Sequence, residues 1–173
     1  LPTTNWMIFK FLSKNFYISF SIVALIYFLD RLSKIYVIQL DKNNLGSDIF
    51  NSAYLNIILI WNKGIAFGLF SFNESHLYNI LTLTISVIVI ILVIMSLKSQ
   101  GFKRYSLLMI IGGALGNLHD RIFFNAVPDF IDFHIGEFHW FIFNVADIFI
   151  SIGVFFMILL ELIDTNKNDN EIT

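Results

Sequence analysis
The chain has 173 residues, of which 57% are hydrophobic, 17% aromatic and 14% charged, against about 25% charged in ordinary soluble domains. Its mean hydropathy is +0.74. A water-soluble globule of this size needs more polar cover, and a disordered chain has far less apolar content. A net charge of -2 leaves no basic footprint for nucleic acid, and the lack of cysteine excludes disulfides, thiolate metal sites and cysteine nucleophiles. The solvent that remains is a lipid bilayer.

A spanning helix needs about 20 apolar residues, and four runs fit. The first, about 16–39, is apolar from Phe16 to Leu29 and then carries Asp30, Arg31 and Lys34. Lys10 and Lys14 precede it as in a signal peptide, but no small-x-small cleavage site follows, so it reads as a retained helix. The second, 77–97, has no charged residue and is about 31 Å long as a helix. The third, 105–124, passes Gly112, Gly113 and Gly116 before reaching Asn117, His119, Asp120 and Arg121. The fourth, 138–163, is interrupted by Asn144 and Asp147.

A long connection, 40–76, follows the first run. Within it Asn51 to Trp61 suits short strands on the membrane surface, and Gly64 to Phe72 suits a short interfacial segment. A second outer connection, 125–137, joins the third and fourth runs. Lys10, Lys14, Lys98, Lys103, Arg104 and Lys167 fall on one side of this arrangement. The positive-inside rule assigns that side, with both termini, to the cytoplasm.

Ionisable residues inside spans are costly, at about 2.5–3.5 kcal/mol each on insertion scales, and mark candidate sites. Asp30 and Lys34 lie four apart and can pair on one helix face; Asp120 and Arg121 offer a second structural pair. Asp129 and Asp147 have no basic residue within four positions, and the short outer connection brings them to the same membrane face. Two carboxylates that meet without a cation cannot both ionise, which suits activation of a water against an amide. Spacing alone equally allows each to cap backbone separately. The four histidines form no metal-ligand pattern, and there is no G-x-S-x-G elbow. A proton-coupled transporter and a non-catalytic assembly module are the competing classes.

Five blocks occur in order: Asp30–Lys34 (DRLSK), Trp61–Gly68 (WNKGIAFG), Gly112–Arg121 (GGALGNLHDR), Val127–Ile131 (VPDFI) and Phe143–Asp147 (FNVAD). Together they resemble the motifs of bacterial lipoprotein signal peptidase, signal peptidase II, over about residues 16–163. The resemblance implies an all-α membrane protein of four transmembrane helices, with a small extracytoplasmic sheet and a short interfacial helix. It implies an aspartyl endopeptidase that removes the signal peptide of prolipoproteins on the N-terminal side of a diacylglyceryl cysteine, at the outer face of the inner membrane. Asp129 and Asp147 match the catalytic pair. Asn62, Gly64, Asn117, Arg121 and Asn144 match the lining of the site for substrate and globomycin-type cyclic peptide inhibitors. Asp30, Lys34 and Asp120 match structural polar positions. No metal, cofactor or nucleic-acid partner is implied, and one copy of the chain carries the whole site. Asn125 stands where a glycine is usual and suits a left-handed backbone position, while Pro128 stiffens the approach to Asp129.

Overall fold
The computed structural model describes residues 4–44, 48–64 and 75–172, with side-chain surroundings for 15–44, 48–64 and 76–164. It is mostly helical: α1 (Thr4–Asn43), α2 (Ser75–Lys98), α3 (Gly101–Phe124) and α4 (Val145–Ile172). Three strands, β1 (Leu55–Asn62), β2 (Val127–Ile135) and β3 (Phe138–Phe143), form one antiparallel sheet in the order β1-β2-β3. Among the described residues, three helices are long and apolar enough to cross a membrane: His76–Lys98, Gly101–Phe124 and Val145–Asp164.

The helix α3 is the hub. Its apolar window is 56% buried, against 11% for α2 and 17% for α4, so the outer helices present most of their side chains outward. It packs on α1, α2 and α4 alike. Its small residues permit this. A Cβ on Gly113 would run into the carbonyl of Ala146 on α4, and one on Gly116 into the carboxylate of Asp30 on α1. The helix ends at Asn125, which adopts the left-handed conformation (φ 54°). Asparagine tolerates that geometry better than any other residue with a side chain of its size, and the chain reverses into β2.

The structure corrects two expectations. The fourth helix does not begin at Phe138: residues 138–143 form β3, and α4 starts at Val145. The apolar run is continuous, but FHWFIF is aromatic-rich, and a two-residue Gly136-Glu137 turn pairs Ile135 with Phe138. Gly136 supplies the positive φ (59°) such a turn needs. The sheet is likewise not confined to residues 51–61. That segment supplies one strand, and the connection after α3 supplies the other two, so the fold is not purely helical. The expected interfacial segment, Gly64 to Phe72, lies outside the described residues beyond Gly64.

Register sets the site. Asn62 pairs with Val127 and Ile60 with Asp129, with an irregularity between Ile57 and Ile60 that shifts the β1 register by one residue. This arrangement brings the end of β1 alongside the start of β2, above the junction of α3 with α4.

Candidate active site
Asp129 and Asp147 face one cavity of about 530 Å³, with Asn62, Asn117 and Arg121 also on its wall. Asp129 comes from β2, just after Pro128, and is 3% exposed. Asp147 comes from the first turn of α4 and is 8% exposed. Below them the cavity continues between apolar side chains, including Ala114 of α3 and Val154 and Ile158 of α4.

Three asparagines hold the two carboxylates. The Asn62 amide donates to Asp129 Oδ2 at 2.9 Å, and the Asn144 amide to Asp129 Oδ1 at 2.6 Å. The Asn117 amide donates to Asp147 Oδ1 at 2.8 Å. Asn144 also exchanges two bonds with Asp147. Its backbone N–H donates to Asp147 Oδ2 at 3.2 Å, and its Oδ1 accepts the Asp147 N–H at 3.1 Å. This reciprocal arrangement satisfies N–H groups that a helix start leaves without partners, in the manner of a capping box. It explains why α4 begins directly after Asn144.

Neither carboxylate is in a salt bridge among the described residues. Burial pushes the Asp129 carboxyl up from 3.8 to about 6, the neighbouring Asp147 charge adds to the rise, and the Asn62 and Asn144 bonds oppose it.

Arg121 is buried and spends its two terminal nitrogens on backbone oxygens: Nη1 on Asn117 O and Nη2 on Gly64 O, each at 3.2 Å. Its buried Nε has no hydrogen-bond partner among the described residues. Gly64 is tied in turn to Asn62, whose Oδ1 accepts the Gly64 N–H at 2.7 Å. The residues matched as site lining thus lie together: Asn62, Gly64, Asn117, Arg121 and Asn144 form one bonded set around the two carboxylates.

The expected Asp120–Arg121 pair does not form. Successive residues on a helix point about 100° apart, and Asp120 turns to α1 while Arg121 turns to the cavity. Asp120 instead accepts from Lys34 Nζ at 2.7 Å and pairs with Arg31 at 2.6 Å. Asp30 bonds Lys34 at 2.9 Å and Arg31 at 3.2 Å, so the Asp30–Lys34 pair is one side of a four-charge cluster between α1 and α3. Asp30, Lys34 and Asp120 are completely buried.

Two participants carry no role in the sequence reading. Arg31 is one, although its place beside Asp30 and three before Lys34 puts it within reach of the same face. Asp132, three residues after Asp129, is the other: it is 1% exposed, and its carboxylate accepts from Asn56 at 3.2 Å and lies 2.9 Å from His139 Nδ1. It knits β1, β2 and β3 together beside the cavity.

Comparison with known proteins agrees with this architecture. The family model for signal peptidase (SPase) II matches residues 22–163. The lipoprotein signal peptidase of Pelagibacter ubique is 51% identical over 158 residues, covering 91% of this chain and 95% of that protein. That of Anaplasma phagocytophilum is 44% identical over 135 residues, covering 78% and 85%. A bacterial membrane enzyme solved at 1.9 Å by the in meso method superposes with a TM-score of 0.67 at 31% identity, covering 83% of this chain and 92% of that one. The chain therefore belongs to the signal peptidase II family of membrane peptidases, the lipoprotein signal peptidases.

Proposed function
We propose that the chain is an aspartyl endopeptidase in which Asp129 and Asp147 act as one catalytic dyad. The observation that carries this is the pair of buried carboxylates in one cavity, each held by asparagine amides and neither in a salt bridge among the described residues. The ionised member takes a proton from a water, which attacks the scissile carbonyl carbon. The protonated member gives its proton to the carbonyl oxygen, and return of a proton to the nitrogen releases the amine. The raised Asp129 carboxyl suits the protonated role. Arg121, whose buried Nε has no hydrogen-bond partner among the described residues, orients the substrate backbone together with Asn62 and Asn117.

The substrates are prolipoproteins carrying a diacylglyceryl cysteine, cut on its N-terminal side at the outer face of the inner membrane. The apolar continuation of the cavity past Ala114, Val154 and Ile158 supports a membrane-embedded substrate. Globomycin-type cyclic peptides compete for the same cavity, and a single copy suffices.

In this reading α1 is a fourth transmembrane helix. Its outward side chains from Phe16 to Tyr36, among them Phe20, Leu25, Phe28, Leu32 and Ile35, are large and apolar. They extend over about 31 Å, one hydrocarbon thickness. The α1 charges Asp30 and Lys34 are hidden and mutually neutralised. Both termini are cytoplasmic.

The test is cleavage of a diacylglyceryl prolipoprotein by the purified chain. Asp129→Asn and Asp147→Asn each abolish turnover, and the double variant is no worse than either, because a dyad acts as a unit. Substantial turnover by either single variant would move the chemistry elsewhere.

A further inference from the structure
We propose that Lys34 is a positioning residue for Asp147, acting through the side-chain amide of Asn117. The inference rests on the dyad reading above and goes beyond it, since no described α1 residue lines the cavity.

Lys34 has three N–H groups, and all three are used: on Asp30 at 2.9 Å, on Asp120 at 2.7 Å and on Asn117 Oδ1 at 2.9 Å. The charges of Asp30, Arg31, Lys34 and Asp120 already sum to zero, so the cluster needs no further partner for neutrality. The third bond reaches out of the cluster into the site.

An ammonium only donates. Asn117 must therefore turn its oxygen to Lys34, and its amide nitrogen is left facing Asp147. The same oxygen accepts from Asn144 Nδ2 at 3.2 Å, and that nitrogen also reaches Asp129. Asn144 has its Oδ1 towards the Asp147 N–H. One fixed donor on α1 thus sets the sense of the Asn117 amide, which donates to Asp147, while the backbone N–H groups of Asp147 and Gly64 set those of Asn144 and Asn62. Without it, a turn of the Asn117 amide would set oxygen against Asp147.

A second contact from α1 works on the same element. Asp30 Oδ1 accepts the N–H of Ala146 at 3.0 Å, on the backbone next to Asp147. Gly116 leaves the room for that carboxylate. The cluster therefore holds the first turn of α4 by its backbone and the Asp147 side chain by Asn117.

Lys34→Met alone leaves two buried carboxylates to one guanidinium, so the informative variant is Lys34→Met with Asp120→Asn, which restores neutrality. Purified chain in lipid nanodiscs is assayed on a diacylglyceryl prolipoprotein, with thermal melts alongside. The double variant melts near the parent and keeps KM, while kcat falls about 10- to 100-fold, the scale expected when a reacting group is misplaced by a fraction of an ångström to an ångström. Asp120→Asn alone leaves the cluster with one positive charge in excess and melts below the parent, but it retains the Lys34–Asn117 bond and keeps kcat within about threefold. A double variant with the kcat of Asp120→Asn would overturn the inference, as would a loss confined to KM. A double variant that fails to accumulate when Asp120→Asn accumulates would also overturn it, because Lys34 would then be holding the fold. Asp147→Asn run in the same assay keeps the two readings apart: turnover there defeats the dyad, whatever the Lys34 variants do.

Discussion

Replacing Asp129 by asparagine should separate catalysis from stability, with opposite signs. Asp129 binds a proton more tightly in the folded chain, at about 6, than in an unfolded one, at 3.8. Above pH 6 the folded state holds a charge that burial and Asp147 both disfavour, and stability is lowered. At about 1.4 kcal/mol per pH unit, the gap of about 2.2 corresponds to about 3 kcal/mol. The substituted side chain would carry no charge, but it has one carbonyl where the carboxylate had two oxygens. Both carboxylate oxygens now accept from amides, of Asn62 and Asn144. One of those donors would face an NH₂, just as it faces an O–H in the protonated parent, and that loss is already contained in the gap, which the two amide bonds narrow. The net expectation is that Asp129→Asn is inactive yet more stable than the parent at pH 8, by about 3 kcal/mol.

The gain has a defined pH window. As pH falls from about 6 towards 3.8, the parent protonates Asp129 in the folded state and sheds the penalty, so the difference between the two proteins shrinks and vanishes below about pH 4. Unfolding in mixed detergent micelles at several pH values measures this, with prolipoprotein cleavage followed on the same preparations. A variant less stable than the parent at pH 8, or a difference that does not change between pH 8 and pH 5, would refute the reasoning.

The site was legible where chemistry is carried by residue type and order. Asp129 and Asp147 stand out because each lacks a nearby cation in sequence, and Asn62, Asn117 and Asn144 fall in the same motifs. Asp30 and Lys34 were legible as a pair because four residues along a helix is a local distance. Their true partners were not. Arg31 and Lys34 meet Asp120 across 86 to 89 positions of sequence, and that meeting depends on how closely α1 approaches Gly116. The glycines announced close packing without saying which helix would occupy it. The sheet was half legible for a different reason: hydropathy does not distinguish a short apolar strand from the start of a helix. Phe138 to Phe143 reads as continuous with α4 until the Gly136-Glu137 turn and the Asn144 cap are given their weight. Asp132 carries no signal in the sequence because its partners, Asn56 and His139, become neighbours only through strand register.

Orientation is tested by cysteines at three loop positions. Asn44→Cys and Glu137→Cys should react with a membrane-impermeant reagent from outside intact cells, and Ser99→Cys should not; labelling at Ser99 would reverse the topology. Arg121→Lys should lower turnover by about 10- to 100-fold, the equivalent of one hydrogen bond to a charged group. It should leave expression intact, because the partners of Asp120 are Arg31 and Lys34 rather than Arg121; full activity would remove Arg121 from the site. Asp132→Asn is the converse case. It takes no part in the proposed chemistry, so turnover should persist below the melting temperature. Asp132 is buried between Asn56 and His139, and neutralising it weakens a charge-assisted link across all three strands, at a cost of about 1–2 kcal/mol. A lower melting temperature with kcat retained is the expected pair of results. Loss of kcat without loss of stability would place Asp132 in the reaction and shift the proton inventory of the site from two carboxylates to three.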